Sequence, residues 1–173
     1  MLLEQVIKNS VEILRKGGII LYPTDTIWGI GCDATNPDAV AKIYQVKQRE
    51  DSKSMLVLID KIGRIPSYVS EMPELAWDLV ELSDKPLTII YQNAKNLAKN
   101  LLANDGSVGI RVVNHEFCNK LIFRFGKPIV STSANISGKP FPKSFYDIED
   151  EIKEKVDHIV SEEFDHPVSD KPS

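Results

Sequence analysis

The sequence predicts an α/β fold: one domain with a parallel or mixed sheet and helices on its faces. Three observations carry that expectation. Short apolar runs of the buried-strand type alternate with segments of helical period along the whole chain. A length of 173 residues suits one domain with a sizeable core. No repeat, linker or low-complexity tract divides residues 1–173.

The elements follow in order. Leu3, Val6, Ile7, Val11 and Leu14 fall at helical spacing, and Gly17-Gly18 supplies the stop. Ile19 to Tyr22 reads as a buried strand closed by Pro23. Asn36-Pro37-Asp38 reads as a helix start, with a capping side chain, a proline at the first position and an acid in the first turn; the helix runs to about Lys47. Met55 to Ile59 is a second buried strand, and Pro73 to Leu82 a helix. Leu87 to Tyr91 and Val108 to Val113 read as strands, with a short helix over Asn96 to Ala103 between them. Glu116 to Phe125 is helical, and Pro128-Ile129-Val130 is a strand emptying into Ser131-Thr132-Ser133-Ala134-Asn135. A helix near Asp147 to Lys155 precedes a last strand at His158 to Val160.

Composition excludes several classes. With 42% hydrophobic and 27% charged residues, the chain is neither disordered nor fibrous. Its net charge of -4 lacks the broad basic surface that gripping a nucleic-acid backbone requires, so any anionic ligand must meet a local basic cluster. Cys32 and Cys118 are far apart and form no CxxC pair, the pattern of two reduced thiols in a cytoplasmic protein. Glu4 and Lys8 interrupt the first apolar stretch, which is therefore no signal peptide, and no apolar run approaches membrane-spanning length. His115, His158 and His166 lack metal-ligand spacing, and Gly126-Lys127 precedes Pro128 where a phosphate-binding loop needs a hydroxyl residue.

Four stretches hold residues able to do chemistry. In Tyr22 to Gly31, hydroxyls and small residues crowd the end of a buried strand, where open α/β sheets place ligands. The alternative is a polar turn bonded to its own backbone. Gly29-x-Gly31-x-x-Ala34 is a loose dinucleotide fingerprint, but the next helix begins too late to meet a pyrophosphate. In Lys47 to Lys53, Lys47 continues the apolar stripe of Val40, Ile43 and Tyr44, so it points where the helix packs. Arg49 lies past the last turn; the alternative is a pair of cations favoured by the helix dipole. In Ser107 to Arg111, strand alternation puts Val108, Ile110 and Val112 on one face and Ser107, Gly109 and Arg111 on the other. A guanidinium there needs an anion, either an internal carboxylate or a ligand carboxylate or phosphate. In Ser131 to Gly138, a dense hydroxyl and amide cluster exceeds what one turn needs, the alternative being an ordinary polar loop.

Together these stretches resemble the YrdC-type L-threonylcarbamoyladenylate synthases. The match comprises Tyr22-Pro23-Thr24-Asp25-Thr26-Ile27-Trp28-Gly29, the run Lys47-Gln48-Arg49 with Lys53, Ser107-Val108-Gly109-Ile110-Arg111, and Ser133-Ala134-Asn135, in family order. The resemblance implies a twisted, mostly mixed sheet with a basic concave pocket. It implies a nucleotidyltransferase that joins L-threonine, bicarbonate and ATP into threonylcarbamoyl-AMP and pyrophosphate, with Mg2+ carried by the ATP and no dedicated metal site. By position, it implies that Lys47 and Arg49 are catalytic, that Arg49, Lys53, Ser107 and Asn135 bind ATP, and that Thr26, Arg111, Ser133 and Ser173 bind threonine. The partners implied are the small-molecule substrates, a weak tRNA contact and downstream threonylcarbamoyl transferase proteins, in the cytoplasm and without a membrane.

The pattern departs from the family in three places. Leu58 stands where many relatives have histidine, Trp28 replaces the usual tyrosine, and the chain ends at Lys171-Pro172-Ser173, lacking the family's final strand and its arginine. Two other readings accompany the synthase: an RNA- or nucleotide-binding module without this activity, and a paralogue that adenylates another substrate.

Overall fold

The computed structural model describes residues 2–48 and 55–165. The elements of the sheet are β1 (Ile20–Tyr22), β2 (Gly29–Gly31), β3 (Leu56–Ile59), β4 (Thr88–Tyr91), β5 (Val108–Val112), β6 (Ile129–Ser133) and β7 (His158–Ile159). The helices are α1 (Leu3–Arg15), α2 (Pro37–Lys47), α3 (Glu74–Leu82), α4 (Glu116–Phe125) and α5 (Asp150–Lys155). Among the described residues the strands form one sheet in the order β4-β5-β3-β6-β2-β1-β7. The β3/β5 and β1/β7 pairs are parallel and the others antiparallel. This is the α/β arrangement expected from the alternation of elements, in its mixed form.

Side-chain alternation divides the core in two. On one face Leu21, Ile30, Val57, Ile110 and Val130 meet α2, α3 and α5 through residues such as Val40, Ile43, Ala76 and Ile152. On the other, Ile20, Tyr22, Leu58 and Ile129 meet α1 and α4 through Val6, Val11, Leu14, Phe117 and Leu121. Beyond those contacts the second face carries several small or hydroxyl side chains, with Leu56 and Arg111 among them. Gly109, Leu56 and Ser131 are neighbours across β5, β3 and β6, and Gly29 pairs with Ser133 across β2 and β6.

Local signals explain the helix limits. The Asn36 side chain accepts from the Asp38 and Ala39 amides, and Pro37 opens α2. Gln48 closes α2 in the left-handed conformation, with φ of 55°. The His115 ring accepts from the Cys118 amide and caps α4.

Three expectations change in detail. The region from Asn96 to Ala103 forms only a 3-10 turn at Lys99–Leu101, because Asn96 adopts a φ of 59° and donates its side-chain amide to Ser67 O. The last helix starts at Asp150, because Ser144 and Asp147 close a separate capped turn before it. The polar stretch after Pro23 holds a strand of its own, β2. The second of its two glycines is required by packing: a Cβ on Gly31 would lie 2.6 Å from both Tyr22 Cε1 and the Val130 carbonyl oxygen. Backbone on one side leaves no route of relief, so Gly31→Ala is expected to destabilise by about 1–3 kcal/mol. A lower urea midpoint at unchanged slope would show it.

Candidate active site

The site is built where strands end. After β1 the chain turns through Pro23 to Trp28, and the turn is tied by its own hydroxyls: Thr24 Oγ1 donates to Ile27 O (2.7 Å) and accepts from Thr26 N (3.1 Å). Asp25 and Thr26 face β5. Arg111, 1% exposed, donates through Nη2 to Asp25 Oδ1 at 3.0 Å and to Thr26 Oγ1 at 3.4 Å. The second Asp25 oxygen accepts from Asn114 N at 3.2 Å, so one carboxylate ties the turn to both Arg111 and the exit of β5. Of the two partners open to a strand arginine, an internal carboxylate is present.

The second cluster forms at the end of β6, which continues through the hydroxyl run that the sequence placed beyond the strand. Ser131 and Ser133 therefore share a face, two residues apart. Lys47, at the end of α2 and 2% exposed, donates through Nζ to Ser133 O (2.6 Å), Ser133 Oγ (3.3 Å) and Asn135 Oδ1 (3.4 Å). Asn135 is in turn held by donating to Lys139 O at 2.7 Å, and Ser137 N donates to Lys47 O at 3.0 Å. Carbonyl, hydroxyl and amide oxygens thus fix the Lys47 side chain in a buried, low-dielectric setting.

A strip of hydroxyls joins the two clusters. Thr26 Oγ1 lies 3.1 Å from Thr24 Oγ1. The Thr24 methyl and Ser131 Oγ both approach Gly29, 3.7 and 3.2 Å from where a Cβ would stand. Gly29 pairs with Ser133, which Lys47 holds. The Arg111 guanidinium and the Lys47 ammonium thus stand at the two ends of a buried row formed by Thr26, Thr24, Gly29, Ser131 and Ser133.

Ser107 lies on the Arg111 side of β5, where its amide donates to Asp105 Oδ1 at 3.0 Å and its carbonyl accepts from Ala103 N at 2.9 Å. Arg49, Lys53 and Ser173 lie outside the described residues. Leu58 pairs with Arg111 across β3 and β5 and is fully buried. The residue that sequence reasoning left off its site was Asp25. The signal was present, since a buried arginine demands an anion and Asp25 sits beside Thr26, but its pairing with β5 spans 86 positions.

Neither thiol offers a nucleophile. Burial, with the Asp25 carboxylate nearby, pushes the Cys118 thiol well up, and Cys118 Sγ donates to Pro23 O at 3.2 Å. Burial, with Asp33 adjacent, does the same to Cys32. Burial also raises the Tyr22 phenol, which stays protonated and donates to Val130 O at 3.0 Å. Among the described residues, no group of three or more His, Cys, Asp or Glu side chains is arranged to hold a metal ion, and no helix is long and apolar enough to cross a membrane. The site is one of fixed charges and hydrogen-bond donors, suited to orienting and stabilising anions.

The Sua5_yciO_yrdC family model, described as telomere recombination, matches residues 12–172. Proteins named threonylcarbamoyl-AMP synthase from Pseudoalteromonas translucida and Photobacterium profundum are 32% and 30% identical to this chain. Those alignments cover 92% and 91% of it and 87% and 86% of the relatives. The crystal structure of P. abyssi Sua5 complexed with L-threonine superposes with a TM-score of 0.85 at 27% identity, over 94% of this chain and 47% of that one. The chain thus spans about half the length of that structure. The crystal structure of E. coli YciO superposes with a TM-score of 0.83 at 26% identity, over 98% of this chain and 82% of that one.

Proposed function

Because this chain belongs to the Sua5/YciO/YrdC family, we propose that it is an enzyme, an L-threonylcarbamoyladenylate synthase making threonylcarbamoyl-AMP and pyrophosphate from L-threonine, bicarbonate and ATP. One observation carries the reading. A buried ammonium, Lys47, bonded to Ser133, and a buried guanidinium, Arg111, bonded to Thr26, stand at the two ends of one row of hydroxyl and glycine positions.

In this reading Arg111, braced by Asp25 and Thr26, receives the threonine carboxylate, and Thr26 and Ser133 bond the rest of the amino acid. The threonine amine attacks the carbon of bicarbonate with loss of water, giving a carbamate. A carbamate oxygen then attacks the α-phosphorus of ATP, the bond to the β-phosphate bridging oxygen breaks, and pyrophosphate leaves with that electron pair. Lys47 stands at the Ser133 and Asn135 end, where it stabilises charge developing on the α-phosphate. Arg49, Lys53, Ser107 and Asn135 complete the ATP side, and Mg2+ enters with the triphosphate as part of the substrate. Positioning and electrostatics supply the catalysis, in keeping with the lack of an activated thiol or phenol among the described residues. The product serves tRNA threonylcarbamoyladenosine synthesis in the cytoplasm, through a weak tRNA contact and separate transferase proteins.

Mass spectrometry of the products from threonine, carbon-labelled bicarbonate and Mg-ATP tests this directly. The expected result is labelled threonylcarbamoyl-AMP with pyrophosphate, absent when threonine or bicarbonate is left out. An adduct formed from another amino acid, with none from threonine, would replace this reading with that of a paralogue adenylating a different substrate.

A further inference from the structure

Trp28 lies between the two clusters of the site. Its carbonyl accepts from Ala134 N at 3.1 Å, the residue between Ser133 and Asn135. Its neighbour Ile27 accepts from Thr24, which bonds Thr26. A shift of Trp28 would therefore move both sets of hydroxyls. Its own indole, 1% exposed, is fixed from two sides. The Phe145 ring packs on it at 5.1 Å between centroids, and the indole N–H donates to Asp165 Oδ2 at 2.8 Å, across 137 positions of sequence.

Asp165 arrives on a segment anchored elsewhere. After β7, Val160 N donates to Leu21 O at 2.9 Å, a turn forms over Glu162–Phe164, and Phe164 stacks on Phe117 at 6.1 Å. Apolar contacts and backbone bonds thus already hold this segment. The carboxylate is a costly addition to them, since Asp165 Oδ1 is buried without a hydrogen-bond partner among the described residues. A group that costs stability and meets the site motif through one directional bond is suited to setting position.

We infer that Asp165 is a positioning residue: by holding the Trp28 indole it fixes the turn that carries Thr26 and the strand end that carries Ser133 and Asn135. The consequence for threonine binding rests on the function proposed above. Asp165→Ala should speed amide hydrogen exchange at residues 24–29 and 133–135 in the substrate-free protein. It should also raise the threonine KM about tenfold, the loss expected for one charge-assisted hydrogen bond, with kcat held within about twofold. Asp165→Asn keeps an accepting oxygen without the charge and should recover part of both readouts, whereas Trp28→Phe keeps a ring without the N–H and should match Asp165→Ala. The Trp28→Phe/Asp165→Ala double variant should be no worse than either single change. Unchanged exchange at 24–29, a loosened turn with unchanged KM, or an Asn variant as impaired as the Ala variant would each overturn the inference. Exchange is read without substrate, so should the wild-type protein fail to turn over threonine, the proposed activity falls while the exchange data still decide whether Asp165 sets the turn.

Discussion

Replacing Lys47 by alanine is expected to lower kcat/KM for threonine-dependent pyrophosphate release by about 10²–10³-fold, the usual cost of losing one preorganised charge-stabilising donor. The ammonium is held by Ser133 O, Ser133 Oγ and Asn135 Oδ1, so its position is set before any substrate arrives. Nothing then needs to reorganise as charge develops on the phosphate. The same bonds make the alanine variant ambiguous by itself, because it strips a donor from buried oxygens at a cost of about 1–3 kcal/mol. Lys47→Met resolves this: it fills the stem's volume and removes the charge. We expect the methionine variant to regain part of the lost thermal stability and none of the activity. A methionine variant with normal turnover would remove Lys47 from the chemistry and leave it a packing role.

Lys47 also shows what was legible in the chain. Its place on the apolar stripe of Val40, Ile43 and Tyr44 required an inward direction, and the structure buries it. The start of α2 was equally plain, since Asn36-Pro37-Asp38 is a local signal that needs no tertiary partner. β2 was not legible, because Gly29-Ile30-Gly31 has one apolar side chain and becomes a strand only between β1 and β6. Its glycines answer to the Tyr22 ring, Ser131 and the backbone of β6, none of which a local reading brings near. The hydroxyls after Pro128 were recognised as a cluster. Their division between two faces followed only once β6 was seen to run through Ser133. Asp165 gave no signal at all, for its partner is 137 residues away and its own surroundings in sequence are ordinary. The family resemblance, carried by four separated motifs, is borne out by the match over residues 12–172.

The Arg111–Asp25 pair separates binding from folding more sharply than any other contact in the site. Both side chains are buried, at 1% and 8% exposure, so removing the guanidinium strips the carboxylate of a buried counter-charge. Arg111→Ala is expected to cost about 3–5 kcal/mol of stability, because the Asp25 carboxylate then keeps Asn114 N but loses its cation. Asp25→Ala removes the carboxylate that Arg111 Nη2 meets at 3.0 Å. The double variant should therefore lose less than the two single losses added, with a coupling of about 0.5–3 kcal/mol in a denaturation cycle. Arg111→Lys is the variant for function, since it keeps the charge and loses the planar fork that a carboxylate requires. If Arg111 receives the threonine carboxylate, this change raises the threonine KM by about tenfold or more, as loss of a bidentate charged bond does, and leaves the ATP KM near its original value. A rise confined to ATP would instead put the guanidinium on the nucleotide. It would also reverse the direction in which substrates lie along the strip from Arg111 through Thr26, Thr24 and Ser131 to Lys47, since the amino acid would then have to meet the ammonium.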